Sequence, residues 1–311
     1  YRINSNKSLP LSANKAKKMH RSGFVNIIGN PNVGKSTLMN ALVGEKLSII
    51  TSKAQTTRHR IMGIVSGEDF QIVYSDTPGI LKPSYKLQES MMKFVTGALT
   101  DADVILYVTA TVEQSERSAE IVDSIRRSGI PTVVVINKID LSTPEALEAL
   151  VDKWQAEIPG AQVVPTSAKE NFNIEGLFRT ILSLLPEGPA FYPKDTLTDK
   201  TLRFFASEII REKILKFYDK EIPYCCEIEI ESYKEEPTID RIAATIYVAR
   251  DSQKGILIGH KGEKLKRVGQ TAREDMEQFL GKKVFLQLFV KVSDDWRNNE
   301  RQLRRFGYEQ E

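Results

Sequence analysis

Two cysteines, three histidines and two tryptophans are all that 311 residues hold of these types. The cysteines, Cys225 and Cys226, are adjacent. Neighbours in an extended chain point to opposite faces, so a bridge between them would be strained. There is no third cysteine, and His20, His59 and His260 are scattered. A zinc site and a cysteine nucleophile pair are thereby excluded, and reduced thiols in a cytosolic protein are expected. No apolar run approaches 18 residues, which excludes a membrane-spanning helix. Charge of one sign is also scarce in excess: 44 Lys and Arg against 41 Asp and Glu leave +3. Any nucleic-acid contact must therefore come from local clustering and not from total charge. Residues 1–21 are polar and Lys-rich without an apolar signal core, so a disordered tail is expected and not a secretory signal.

What is present suits a globular chain of about two domains, with 41% hydrophobic and 27% charged residues. Residues 22–186 alternate strand-like segments (24–28, 61–65, 70–75, 104–109, 132–136, 162–165) with helix-like ones (35–43, 87–99, 116–128, 144–155, 174–185). That alternation predicts a mainly parallel six-stranded sheet with helices on both faces, and ligands at the carboxyl ends of its strands. Three prolines and a glycine between 186 and 193 end this unit and open a linker over 187–200. The order then changes to α-β-β-α-α-β over 201–293: an amphipathic helix over 201–218, strands over 226–233 and 239–249, two helices around a tight turn, and a strand over 284–292. A charged tail, 294–311, is expected to be helical over 295–306.

Gly29-Asn30-Pro31-Asn32-Val33-Gly34-Lys35-Ser36 fits the phosphate-cradling pattern G-x-x-x-x-G-K-[ST], with a β-rich run before it and a helix start over Ser36-Thr37-Leu38-Met39-Asn40-Ala41-Leu42. Triphosphate needs many N–H donors in a small space, which glycines leave open and a helix N-terminus supplies. Lys35 would reach the β- and γ-phosphates, and Ser36 would ligate Mg²⁺. Asn137-Lys138-Ile139-Asp140 directly follows an apolar strand, at the same sheet edge. An aspartate there accepts from guanine N1–H and its amine together, a donor pair adenine lacks. Asn137 would brace the phosphate loop and meet the base edge, and the Lys138 stem would cover the ring. Asp76-Thr77-Pro78-Gly79 ends an alternating strand. Asp76 would hold Mg²⁺, and the Gly79 N–H would meet the γ-phosphate. One of Thr56 and Thr57, with Thr57 preferred, would complete the Mg²⁺ shell from a first switch over 46–60. Ser167-Ala168-Lys169 would pack backbone N–H groups on guanine O6. The next residue after Gly79 is Ile80, which cannot orient water, so slow hydrolysis is expected, on the order of 10⁻³–10⁻² per second.

In the second unit, Gly259-His260-Lys261-Gly262 means little alone, since about one Gly-x-x-Gly is expected by chance from 18 glycines. Its setting carries more. Ile256 and Ile258 stand on an apolar helix before it, and Lys264, Lys266, Arg267 and Arg273 follow. From 250 to 273 there are seven Lys or Arg against two acids. Glycines admit an RNA backbone, basic side chains neutralise phosphates, and Ile256 and Ile258 would wall a groove for bases.

The elements at 29–36, 56–57, 76–79, 137–140 and 167–169 together resemble those of the translation-factor-like GTPases, and 201–293 resembles a type II KH domain. With Ile80 and the short linker, the chain over 22–306 resembles the Era family of ribosome-assembly GTPases. The resemblance implies slow hydrolysis of GTP to GDP, with Lys35, Thr57 and Gly79 in catalysis. It implies Mg²⁺ on Ser36, Thr57 and Asp76, and K⁺ on Asn32. It implies binding of the 3′ region of 16S rRNA through Ile256, Ile258, Gly259, His260, Lys261, Gly262, Lys264 and Arg267. It further implies a monomer acting in small-subunit assembly, cytoplasmic with a loose peripheral link to the inner membrane. A competing expectation is a GTPase whose KH-like domain docks protein instead of RNA; relatives built that way carry two GTPase domains and lack the Gly-x-x-Gly loop. An adenylate-type kinase would need a phosphate-acceptor lid, which the sequence does not contain.

Overall fold

The computed structural model describes residues 19–113 and 119–308. Its first sheet has the strand order β2-β3-β1-β4-β5-β6. β1 (Arg21–Ile28), β4 (Val104–Ala110), β5 (Thr132–Asn137) and β6 (Gln162–Pro165) run parallel, as do β1 and β3 (Phe70–Asp76). Only β2 (Ile61–Ser66) is antiparallel, paired with β3 across a short turn. β4 and β5 are buried along their whole length. Both faces are covered, which is why these strands read as unbroken apolar runs. β1 lies between β3 and β4, where the strand order reverses, so the crevice at its carboxyl end is the expected ligand position.

α1 (Lys35–Val43) starts directly on left-handed Gly34 and stops at left-handed Gly44. α2 (Lys86–Thr100), α3 (Ala119–Ser128), α4 (Pro144–Glu157) and α5 (Ile174–Leu184) cover the sheet. α4 is capped by Thr143, whose hydroxyl accepts from Ala146 N, with Pro144 at its first position. Two expectations shift here. β1 begins at Arg21, three residues early, because its amide bonds Asp69 O and the adjoining Ser22 amide bonds Pro186 O. The expected helix start at 116–118 lies outside the described residues.

The segment from 186 to 199 is not a free linker. It runs along the open edge of β2, with Ile64 N donating to Leu197 O at 2.8 Å and Thr198 Oγ1 to Met62 O at 2.6 Å. An edge strand is thereby shielded from pairing with other chains.

The second sheet has the order β7 (Glu227–Glu235), β8 (Ile239–Val248), β9 (Lys283–Val292), with β7 antiparallel and β9 parallel to β8. α6 (Leu202–Phe217), α8 (Asp251–Ile258) and α9 (Glu263–Leu280) enclose a core with its inner face, including Ile210, Ile214, Ile246, Leu257, Val268 and Met276. A four-residue helix, α7 (Ile222–Cys225), precedes β7 and was not signalled by periodicity. α6 departs from a simple amphipathic helix. Leu202 is exposed, while Glu208, Arg211, Glu212 and Lys213 are buried. One face of α6 packs on the second core; the polar face meets the 46–60 loop of the first unit. The tail also differs from one helix over 295–306. It forms a 3₁₀ turn, Trp296–Asn298, and then α10 (Glu300–Arg305), broken where Asn299 caps α10 through Gln302 N. Trp296, Leu303 and Tyr308 pack against Leu87, Met91 and Phe94 of α2, so the tail belongs to the contact between the two units.

Candidate functional site

A cleft of about 920 Å³ opens at the carboxyl ends of the first sheet's strands. Residues 31–37 line one side, Asn137, Lys138 and Asp140 with 167–169 another, and Thr56, Thr57 and Gly79 a third. The local backbone explains this convergence. Gly34 has φ 96°, and a Cβ there would lie 2.3 Å from Asn137 Nδ2, so the loop needs glycine for conformation and for space. At Gly29 a Cβ would lie 2.1 Å from Val108 O. Lys35 is buried, with its ammonium donating to Gly29 O and Asn30 O, both at 2.9 Å. Burial pushes its pKa down to about 8, against the opposing charges of Asp76 and Glu113. A triphosphate at this position would restore the charge it favours.

Ser36 Oγ lies 2.6 Å from Asp76 Oδ2 and 2.9 Å from Thr57 Oγ1, and Thr57 Oγ1 lies 3.4 Å from the same carboxylate oxygen. The other oxygen, Asp76 Oδ1, is buried with no hydrogen-bond partner. Burial raises the Asp76 pKa, opposed by these hydroxyls and by Lys35. Two hydroxyls and a partly unsatisfied buried carboxylate make an all-oxygen donor set, which fits a hard divalent cation such as Mg²⁺.

Where guanine is expected, Ser167 Oγ donates to Asp140 Oδ1 at 2.6 Å and fixes the carboxylate's orientation. Asn137 ties three loops together: Nδ2 donates to Val33 O at 2.9 Å, and Oδ1 accepts from Ala168 N at 3.0 Å. It is buried, so its geometry is that of a brace more than of a base-edge contact. Lys138, at left-handed φ 61°, hydrogen-bonds Asn32 O and so lies over the cleft. Asn32 is itself exposed on the cleft wall, at φ 62°.

Other predicted residues stand elsewhere. The Thr77 hydroxyl donates to Ile27 O, and Pro78 is not on the cleft wall. The Ile80 side chain packs in the core with Ile28, Val95 and Ala98, and its N–H is already spent on Gly29 O. An apolar side chain gains more from that core than from a wet phosphate site. Motif reading also missed residues. Val112, Glu113 and Leu141 line the cleft, and Glu113 accepts from Asn30 Nδ2 at 2.6 Å and Thr109 Oγ1 at 2.8 Å. No local pattern marks them; their position after β4 and after Asp140 was the available signal.

The 46–60 loop, the expected first switch, is held by the second unit. Arg58, fully buried, donates to Cys226 O (2.8 Å), Pro223 O (3.1 Å) and Glu227 Oε2 (3.1 Å). Tyr308 donates to the same Glu227 oxygen at 2.6 Å and stacks on His59 with ring centroids 4.2 Å apart. Lys53 reaches Tyr218 O and Asp219. Helix α2, which follows the 76–79 segment, is tied to the tail through Lys86 and Glu300.

The Gly-x-x-Gly turn joins α8 to α9. Gly259, Lys261 and Gly262 have φ 72°, 48° and 81°, so the chain takes three left-handed steps in four residues. His260 and Lys261 are exposed at its tip. Ile256 is 45% exposed and Ile258 half-buried, leaving an apolar surface beside the turn, while Leu257 points into the core. Lys264 and Lys266 are exposed. Arg267 is also exposed, but its guanidinium lies 4.2 Å from the Phe217 ring, and Lys264 Nζ lies 5.9 Å from that of Tyr218. These two cations are thus aligned along the α6–α9 seam rather than free in solvent.

Comparison with known proteins finds relatives of both units. The family described as 50S ribosome-binding GTPase matches residues 24–138, and the KH domain family matches 221–297. The chain is 45% identical to the GTPase Era of Staphylococcus haemolyticus over 291 residues, 93% of this chain and 97% of that protein. A crystal structure of Era in complex with MgGDPNP and nucleotides 1506–1542 of 16S ribosomal RNA matches with a TM-score of 0.89 at 40% identity, covering 94% of this chain and 100% of that one. A tyrosine-to-alanine variant of Aquifex aeolicus Era bound to GDP·AlF₄⁻ matches equally well, TM-score 0.89 at 40% identity, over 93% and 100%.

Proposed function

Because this chain belongs to the Era family of GTPases, we propose that it is a GTP-hydrolysing switch whose KH domain binds the 3′ region of 16S rRNA during small-subunit assembly. The observation that carries this reading is the joint presence, in one chain, of the guanine-type cleft and a basic Gly-x-x-Gly turn, with the first switch bonded to the second unit. Residues 22–186 form the GTPase domain and 201–293 the KH domain in this reading.

In the cleft, Asp140 held by Ser167 would take guanine, and Asn137 would keep the phosphate loop and the 166–169 loop in register. Lys35 would exchange its loop carbonyls for phosphate oxygens. Ser36, Thr57 and Asp76 would hold magnesium, which supplies neutralisation of charge on the β- and γ-phosphates. Gly79 would present its N–H to the γ-phosphate. Ile80 leaves the attacking water without a side-chain orienter, so hydrolysis is slow. Asn32, exposed beside the phosphate end, would hold a potassium ion that offsets developing charge. Equal hydrolysis rates in K⁺ and Na⁺, unaltered by Asn32→Ala, would remove that assignment.

On the KH domain, the left-handed turn admits the RNA backbone, Lys261 meets phosphate, and Ile256 and Ile258 face the bases. Family likeness alone supports a monomer in the cytoplasm with a peripheral inner-membrane link. Binding of a 16S rRNA 3′ oligonucleotide by wild type and Lys261→Ala, titrated against salt, tests the RNA reading. Weaker binding with a salt slope reduced by about one is expected; equal affinities and slopes would contradict it.

A further inference from the structure

Arg211 stands in the middle of α6, in the half of the chain that carries the Gly-x-x-Gly turn, yet its guanidinium ends on the 55–56 carbonyls of a loop that lines the cleft. Its side chain is 2% exposed. Nε and one terminal nitrogen grip Glu208 at 2.7 and 2.6 Å. The terminal nitrogens donate to the main-chain carbonyls of Gln55, at 3.4 Å, and Thr56. Gln55 is left-handed, φ 56°, so the loop changes direction where the guanidinium holds it. The next residue but one is Thr57, whose hydroxyl lies 2.9 Å from Ser36 Oγ and 3.4 Å from Asp76 Oδ2.

A buried ion pair gains little stability over apolar residues of the same volume, so Arg211 and Glu208 are poorly explained as a stabilising pair. A planar fork fixed at one side by a carboxylate is, however, well suited to hold two successive carbonyls in place. Lys53 and Arg58 anchor the flanks of the same loop to the second unit. Arg211 meets the turn itself.

We propose that Arg211 is a positioning residue for GTP hydrolysis, through which the RNA-binding half of the chain holds the 55–57 turn against the phosphate end of the cleft. The proposal rests on the reading of Thr57 as part of the magnesium site. Its consequence is selective. The contacts expected for base and diphosphate come from 29–37 and 137–169, which Arg211 does not touch, so its loss acts on turnover and spares GDP.

Steady-state GTP hydrolysis and GDP affinity of the full chain test this for wild type, Arg211→Ala, Arg211→Lys and Thr57→Ala. Arg211→Ala is expected to lower kcat about ten- to a hundredfold and to leave GDP affinity unchanged. Arg211→Lys, which keeps one charged donor toward Thr56 O, is expected to recover part of the loss. Thr57→Ala is expected to lose at least as much as Arg211→Ala. A wild-type kcat in Arg211→Ala, or a parallel loss of kcat and GDP affinity, would overturn the proposal. If Arg211→Ala does not fold, a wild-type kcat in Arg211→Lys would overturn it, and a lowered kcat with unchanged GDP affinity would support it. An unaffected Thr57→Ala would instead overturn the metal-site reading, and this proposal with it.

Discussion

Gly34 carries two constraints at once: a left-handed φ of 96° and a Cβ position already filled by the Asn137 amide. The 29–36 loop and the 137–140 segment are thus one packed unit, although 104 residues separate Asn137 from the Val33 carbonyl it bonds. Asp140, by contrast, lines the cleft with one carboxylate oxygen accepting from the Ser167 hydroxyl. Base choice should depend on that carboxylate alone. Asp140→Asn replaces an acceptor by a donor, so preference is expected to move from guanosine toward xanthosine nucleotides. The check is competition of GTP and XTP for hydrolysis; an unchanged order would take Asp140 out of the base site. These residues were legible in the sequence because their chemistry is local: four residues on the end of an apolar strand suffice. Arg58 and Arg211 were not. Arg58 sits in a basic run with His59 and Arg60, Arg211 on a helix with Glu212 and Lys213 beside it, and the main-chain and carboxylate partners they meet across the two units lie about 155–169 positions away.

At the scale of elements, the 46–60 loop and the C-terminal tail form one contact. His59 is enclosed by Phe94, Phe204 and Tyr308, and stands near the cations Arg211, Lys200 and Arg58. Burial, then those charges, press its pKa from an ordinary 6.5 to about 3. Folded His59 therefore stays neutral where the unfolded chain takes up a proton. Its contribution is complete above pH 6.5 and is lost as pH falls toward 3, by about 1.4 kcal/mol per unit at most. Denaturant titrations of wild type and His59→Gln should differ by a constant amount above pH 6.5 and converge below it. Parallel curves across the whole range would show that His59 is not the group. The tail, expected to be helical over 295–306, is helical only over Glu300–Arg305 after a 3₁₀ turn at Trp296–Asn298. Trp296, Leu303 and Tyr308 were its informative residues, and their partners on α2 could not be inferred from periodicity. Strands β4 and β5 succeeded because burial on both faces writes itself into sequence as an unbroken apolar run.

The whole molecule joins the cleft of the first unit to the Gly-x-x-Gly turn of the second through contacts on the 46–60 loop and on α2. Arg58, Arg211 and Lys53 hold the loop; the tail holds α2. Leu303, buried between α2 and the tail, measures the strength of that contact. Leu303→Ala is expected to cost about 2–4 kcal/mol in denaturant unfolding, or to split one transition into two as the units unfold separately. A stability equal to wild type would show that the tail is not part of the structural core. The order of domains and the type of each were legible from motifs and element order. The contact between them was not, since it rests on side chains such as Glu208, Arg211 and Glu212, which a sequence presents as an ordinary charged helix face. The central claim, that the nucleotide governs the RNA site, is tested most directly by the affinity of the full chain for a 16S rRNA 3′ oligonucleotide with a non-hydrolysable GTP analogue, with GDP and without nucleotide. The account predicts the tightest binding with the analogue, by about 5- to 150-fold over GDP, the span of an ordinary coupling between sites; one affinity in all three conditions would contradict it.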